Sequence, residues 1–179
     1  MNALELHLYK CNSKIKGDAE MSRLHTCCFT GHRDIPPEIL PALATKLETT
    51  VHDLIADGIR YFYAGGALGF DTLAAETVLR LRDQAPQIRL ILALPCREQP
   101  RGWPAMSVSR YEHILRRANE VIYTSEHYTR GCMQRRNRFM VDHSAVCVAY
   151  CTRATGGSAY TLQYARKARL RIILLPLQK

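Results

Sequence analysis

The stretch Tyr63-Ala64-Gly65-Gly66-Ala67-Leu68-Gly69-Phe70-Asp71 joins two segments of different period. Before it, Ile59 to Tyr63 is an apolar run that reads as a buried strand. After it, from Thr72 to Arg82, Leu73, Ala74, Val78, Leu79 and Leu81 recur with the spacing of a helix. The stretch is therefore a glycine-rich strand-to-helix turn. Glycines there let the backbone approach a ligand closely, with N–H groups and a helix N-terminus aimed at it. That geometry favours anions, phosphate above all. Any tight strand-to-helix turn also favours glycine, so on this stretch alone phosphate binding and plain turn geometry stand side by side.

Working outward, the same alternation repeats. Leu24 to Thr30 reads as the first core strand and Thr30-Gly31-His32-Arg33 as its exit turn. Pro36-Pro37 is expected to open a helix, since proline is tolerated in the first turn. That helix runs through Leu40, Leu43, Leu47, Val51, Leu54 and Ile55 and stops at Gly58. The helix after the glycine-rich turn ends near Ala85, before Pro86. Ile88 to Leu94 is a third strand, closed by Pro95-Cys96. An irregular connection over 97–107 carries Trp103. Next come a helix from about Ser107 to Ala118, a strand from Glu120 to Thr124, a loop with His127 and Tyr128, and a helix from Cys132 to about His143. Ala145 to Tyr150, Ser158 to Ala168 and Arg171 to Leu175 complete the series as strand, helix and strand. Unbroken apolar strands alternating with helices imply a parallel sheet covered on both faces. The expectation is an α/β fold: a Rossmann-like, doubly wound, mostly parallel sheet with helices on both faces. Residues 1–22 read as an N-terminal arm or extension, in which Leu4, Leu6 and Leu8 alternate with polar residues, and 23–179 as a single domain.

Composition narrows the class. A chain of 179 residues suits one domain with a sizeable core. No apolar run approaches the ~20 residues of a membrane helix, and Met1 to Glu20 lacks the apolar core of a secretory signal. No membrane partner and a cytoplasmic location are expected. The seven cysteines are odd in number, include no Cys-x-x-Cys and sit mostly in or beside apolar runs, which argues for reduced thiols and against a zinc site or any other metal. The net charge of +9 admits nucleic acid, a membrane surface or small phosphorylated ligands. From Arg97 to Arg138 there are nine arginines against four glutamates, and arginine suits bidentate phosphate contacts. A solvated basic face is the commoner meaning of scattered charge.

In an open parallel sheet, ligands sit outside the carboxyl ends of the strands, where strand order reverses. Four strand exits carry unusual residues: Thr30-Gly31-His32-Arg33, Gly65-Gly66-Ala67-Leu68-Gly69, Pro95-Cys96-Arg97 and Thr155-Gly156-Gly157-Ser158. Two double-glycine turns that both open helices can each offer N–H donors to a phosphate. Ser158 or Thr161 can add a hydroxyl, and Arg33 with Arg135-Arg136-Asn137-Arg138 can add charge. The Gly-x-Gly-x-x-Gly fingerprint is not satisfied and no Gly-Lys-Ser/Thr occurs, which disfavours a dinucleotide dehydrogenase or a P-loop NTPase. Asp71 either binds a ribose hydroxyl or caps its helix, with capping slightly preferred. His143 and Ser144 are expected to end a helix. Cys96 has no base-and-orienter set around it and is not read as a nucleophile.

These residues carry a resemblance. From about Leu24 to Leu175 the chain resembles the YpsA-like proteins of the SLOG superfamily, which also contains the LOG phosphoribohydrolases and the DNA-processing protein DprA. The likeness rests on Thr30 to Arg33, on Gly65 to Asp71, on Arg136-Asn137-Arg138-Phe139-Met140-Val141-Asp142-His143-Ser144, and on Gly156-Gly157-Ser158 leading to Thr161. It implies a pocket for a nucleotide or nucleotide-derived ligand related to NAD or ADP-ribose, with a place in nucleotide signalling or stress response. The ligand-binding candidates are Thr30, Gly31, His32, Arg33, Gly65, Gly66, Ala67, Gly69, Phe70, Asp71, Pro95, Arg136, Asn137, Gly156, Gly157, Ser158 and Thr161. No resident cofactor is assigned beyond such a ligand.

Two further readings follow from the resemblance. LOG enzymes hydrolyse the N-glycosidic bond of nucleoside monophosphates. Arg136, the candidate catalytic residue, and Met140 match their motif, but Asn137 replaces a lysine, Thr155 a proline, and the glutamate position falls on Gln163 or Tyr164. Glycoside cleavage passes through a cation-like transition state and wants a carboxyl group. LOG-type hydrolysis is therefore disfavoured unless Asp71, Glu76 or Asp142 substitutes. The likeness to DprA, with the +9 charge, raises single-stranded nucleic acid as a partner, although aromatic residues interleaved with basic ones are not evident. A homodimer is expected by analogy alone.

Overall fold

A computed structural model describes residues 23–175 of the chain. They form six strands and five helices in strict alternation: β1 (Thr26–Gly31), α1 (Leu40–Ala56), β2 (Tyr61–Ala64), α2 (Phe70–Arg82), β3 (Arg89–Leu94), α3 (Ala105–Arg117), β4 (Glu120–Tyr123), α4 (Cys132–Asp142), β5 (Val146–Tyr150), α5 (Gly157–Lys167) and β6 (Arg171–Leu174). The strands make one sheet in the order β4-β3-β2-β1-β5-β6, and every adjacent pair is parallel. This is the α/β architecture expected. The arm at 1–22 lies outside the described residues, as do 176–179. No helix among the described residues is long and apolar enough to cross a membrane.

The strands read as continuous apolar runs because both faces are covered. Successive side chains of a strand point to opposite faces. Cys27 and Phe29 of β1 pack with α1, α2 and α3, whereas Cys28 packs with α4 and α5. On the first face, Leu43, Leu47, Val51 and Leu54 of α1 are buried at helical spacing. Each such side chain contributes about 1.5–3 kcal/mol relative to exposure. The sheet's middle strands bury three thiols, Cys27, Cys28 and Cys147, and burial pushes the Cys27 thiol well above its ordinary range. All six described cysteines are free.

The structure corrects the sequence reading in local detail. Pro36 and Pro37 do not open α1. They form a turn ahead of it, with Ile39 N–H and Leu40 N–H donating to their carbonyls, and Pro41 takes the first-turn place that needs no N–H donor. Gly58 does follow the helix, at φ 92°. Asp71 is not a cap: the N-cap of α2 is Gly69, and Asp71 sits inside the first turn. His143 is the C-cap of α4, and the buried Ser144 hydroxyl donates to Met140 O at 2.8 Å.

Candidate functional site

The chain leaves β1 toward β2 on one side of the sheet and returns to β5 on the other, so strand order reverses between β1 and β5. The loops leaving these two strands diverge there and open a crevice at their carboxyl ends. A cavity of about 330 Å³ occupies that place.

One wall is the N-terminus of α5. Its N-cap is Gly156, with φ 100° and no side-chain cap. A Cβ at Gly156 or Gly157 would meet nothing within 4 Å, so this double glycine faces open space. The N–H groups of Gly157, Ser158 and Ala159 have no acceptor among the described residues. A helix start of this kind carries partial positive charge and three donors. The Ser158 hydroxyl is spent on the scaffold: it donates to Gly31 O at 2.6 Å and pins α5 to β1.

The cavity floor carries a buried ion pair. Arg136, on α4, lies 3.9 Å from Asp71 across the cavity floor, with side chains 5% and 9% exposed. Its Nε donates to Asn137 Oδ1 at 2.7 Å, and Nη1 donates to Gly65 O. Nη2 has no protein acceptor among the described residues. Asn137 in turn donates to Thr161 Oγ1 at 2.7 Å, and Thr161 donates to Gly157 O, so α4 and α5 are held in register beside the cavity. Burial raises the Asp71 carboxyl above its ordinary range, against the opposing pull of Arg136, the Ala67 N–H and Arg33. Burial likewise lowers the Arg136 guanidinium, and Asp71 opposes it.

The third side is the β1 exit loop. Thr152 presents its N–H to His32 Nε2 at 2.8 Å and its hydroxyl at 3.1 Å. A ring nitrogen that accepts an N–H carries no proton, so the bond assigns a neutral imidazole protonated on Nδ1. Burial, then the positive charge of Arg153, holds His32 below its ordinary value, with Asp34 opposing. Arg33 and Arg153 add guanidinium groups to the cavity lining.

Of the sequence candidates, Thr30, Gly31, His32, Arg33, Ala67, Asp71, Arg136, Asn137, Gly156, Gly157 and Ser158 line this cavity. Gly65, Gly66, Gly69, Phe70, Pro95 and Thr161 do not. The first double glycine serves packing: a Cβ on Gly65 would collide with the Arg136 guanidinium, and one on Gly66 with the end of Leu94. Gly69, at φ 74°, lies against the backbone of His32 and Arg33. Phe70 is fully buried between Phe29 and Tyr150. Pro95 is buried, as is Cys96 beside it. Trp103 packs edge-on against Tyr111, and neither it nor Tyr128 lines the cavity. Asp34, Met133 and Arg153 line it without having been singled out. Met133 was legible, standing one helical turn before Arg136-Asn137. No group of three metal-ligating side chains occurs among the described residues.

Of the possible acids, Asp71 lines the cavity. Glu76 is engaged by Arg110, and Asp142 accepts from the Tyr164 hydroxyl at 2.9 Å. Neither Gln163 nor Tyr164 lines it.

Residues 36–173 match the YspA SLOG family (YpsA). The chain is 33% identical over 141 residues to the SPbeta prophage-derived protein YoqJ of Bacillus subtilis, covering 72% of this chain and 82% of that one. It is 32% identical over 123 residues to a UPF0398 protein of Halalkalibacterium halodurans, covering 67% and 65%. In three dimensions it is similar to DNA processing protein A from Helicobacter pylori, described by its single-stranded DNA binding mode, with a TM-score of 0.61 and 21% identity over 87% of this chain and 66% of that one. DNA processing protein A from Streptococcus pneumoniae is similar at TM-score 0.63 and 14% identity, over 89% of this chain and 53% of that one. At such identities the structural likeness speaks for the fold alone. The family match spans most of the chain and 82% of the Bacillus subtilis relative is covered at 33% identity, so the chain belongs to the YpsA SLOG family.

Proposed function

We propose that the protein binds a nucleotide-type ligand in the β1/β5 cavity, with a phosphate seated on the N-terminus of α5. The observation that carries this reading is the run of three unengaged N–H groups opening into a cavity that also holds the buried Arg136 guanidinium. Backbone donors and a helix dipole favour an anion, and a guanidinium reads planar oxyanions. Met133, Met140 and Asp71 also line the cavity, and offer apolar contact for a base and a carboxylate for a ribose hydroxyl. Calorimetry against AMP, ADP-ribose, NAD and cyclic nucleotides tests it directly. Saturable binding by a phosphate-bearing nucleotide supports the reading, and no heat with any of them at about millimolar concentration defeats it.

A second reading has one observation in its favour. Asp71 places a carboxyl in the cavity and burial raises its pKa, as acid catalysis of glycoside cleavage requires. Incubation with nucleoside monophosphates, followed by chromatography for free base, decides it. Base released by the wild type and lost in Asp71→Asn supports turnover, and no base from the wild type removes it.

A further inference from the structure

The Arg136 guanidinium commits its donors unequally. Nε donates to Asn137 Oδ1 at 2.7 Å, and Nη1 donates to Gly65 O and, at 3.4 Å, to Ala93 O. A forked grip on a phosphate takes two adjacent nitrogens of the guanidinium. Nη2 has no acceptor among the described residues, so either Nε or Nη1 must be released to join it. Releasing Nε would strand Asn137 Oδ1, which has no other donor among the described residues. Gly65 O has a second donor, because Gln99 Nε2 reaches it at 3.1 Å. We propose that Gln99, on the loop after β3, is a positioning residue of the anion site. It holds Gly65 O when Arg136 Nη1 turns from that carbonyl to a bound phosphate. This rests on the reading of the cavity as a nucleotide site and goes beyond it, since Gln99 does not line the cavity.

Three features support the role. Gly65 is buried, so its carbonyl needs a donor with or without a ligand. A carbonyl has two lone pairs and takes both donors at once until one leaves. Gln99 is only 6% exposed, and its Oε1 is buried without a partner among the described residues. An apolar side chain of like volume would leave no such acceptor, so stability alone disfavours an amide here. What glutamine adds at this place is the donor aimed at Gly65 O. The move also leaves Asp71 its contacts with the Ala67 and Gly65 N–H groups, so the carboxyl is not stripped when Nη1 departs.

Gln99→Met and Gln99→Leu, both close in volume, test this. AMP is titrated into wild type and variants by calorimetry, and melting temperatures are taken without ligand. Without AMP, Arg136 still serves Gly65 O and the stranded Oε1 is gone, so both variants should melt at or above the wild-type temperature. With AMP, releasing Nη1 now strands Gly65 O, and affinity should fall about fivefold. A merely structural glutamine would lose stability and affinity together. In an Arg136→Met background Gln99 is the last side-chain donor to Gly65 O, so there Gln99→Met should lower the melting temperature. The proposal is overturned if both variants bind AMP as wild type does, or if both melt more than about 3 °C lower. It is also overturned if Gln99→Met has the same effect on melting in both backgrounds. AMP binding unaffected by either variant leaves the nucleotide reading standing; no AMP binding by the wild type removes both.

Discussion

Replacing Arg136 with methionine tests whether the ion pair on the cavity floor is as buried as it looks. The side chains of Arg136 and Asp71 are 5% and 9% exposed, so neither is well hydrated. Methionine fills much of the volume and removes the charge. Gly65 O keeps a second donor, Gln99 Nε2 at 3.1 Å, so the β2 exit loop retains a tether. Asp71 is left with the backbone N–H groups of Ala67, at 3.3 Å, and Gly65, and the charge of Arg33. Removing one partner of a buried pair costs about 3–5 kcal/mol, because the survivor is a buried charge without compensation. The expected loss at neutral pH is about 3 kcal/mol, the low end, since the site opens on a cavity. The loss must also depend on pH. Burial already raises Asp71, and losing Arg136 raises it further. A carboxyl whose folded pKa exceeds the unfolded value of about 3.9 is most stabilising when protonated, and that contribution fades as pH rises through the folded pKa. The deficit of Arg136→Met against wild type should therefore be smaller near pH ~4.5 than near ~7.5, and Asp71→Asn in the same chain should restore part of it. Urea denaturation of wild type, Arg136→Met, Asp71→Asn and the double variant at both pH values reads all of this. A cost below about 1 kcal/mol, or a deficit that grows as pH falls, would refute the reasoning.

Other expectations follow from the same structure. His32 is held neutral, so the stability tied to its bond from Thr152 is present above its unfolded pKa of about 6.5 and lost as pH falls below it. The wild-type urea midpoint should drop between about pH 7 and pH 5, and His32→Gln should flatten that drop; equal slopes would tell against it. Arg169, after α5, is the only described non-glycine residue at positive φ, 60°. Arg169→Gly should raise the melting temperature by about 2 °C, and a fall would contradict the strain argument. A Cβ on Gly31 would enter the space of Phe70. Gly31→Ala should therefore cost about 1–3 kcal/mol in chemical denaturation, and a neutral result would mean that the ring moves freely.

The alternation of apolar runs with helical periods was enough to place all eleven elements, because each strand is covered on both faces and each helix buries one stripe. The errors came where a distant partner decides. Pro36-Pro37 looks like a helix start, yet the chain spends it on a turn before Pro41. Gly65-Gly66 and Gly156-Gly157 look alike in sequence and serve different ends. The first makes room for a guanidinium 71 residues away, which no local pattern reveals. The second has nothing against it and is free to meet a ligand. Asp34 and Arg153 escaped notice because single charged residues in loops are commonplace, and only the strand order brings those two loops together.

The central claim is that an anion sits on the start of α5, and Gly157→Asp tests it most directly. The new side chain has open space and puts a carboxylate in the helix's first turn, which should leave stability equal or raise it by about 0.3–1 kcal/mol. The same carboxylate would take the phosphate's place. The account predicts a variant at least as stable as wild type whose affinity for AMP, measured by calorimetry, falls by about tenfold or more. AMP bound equally well by wild type and Gly157→Asp would contradict it.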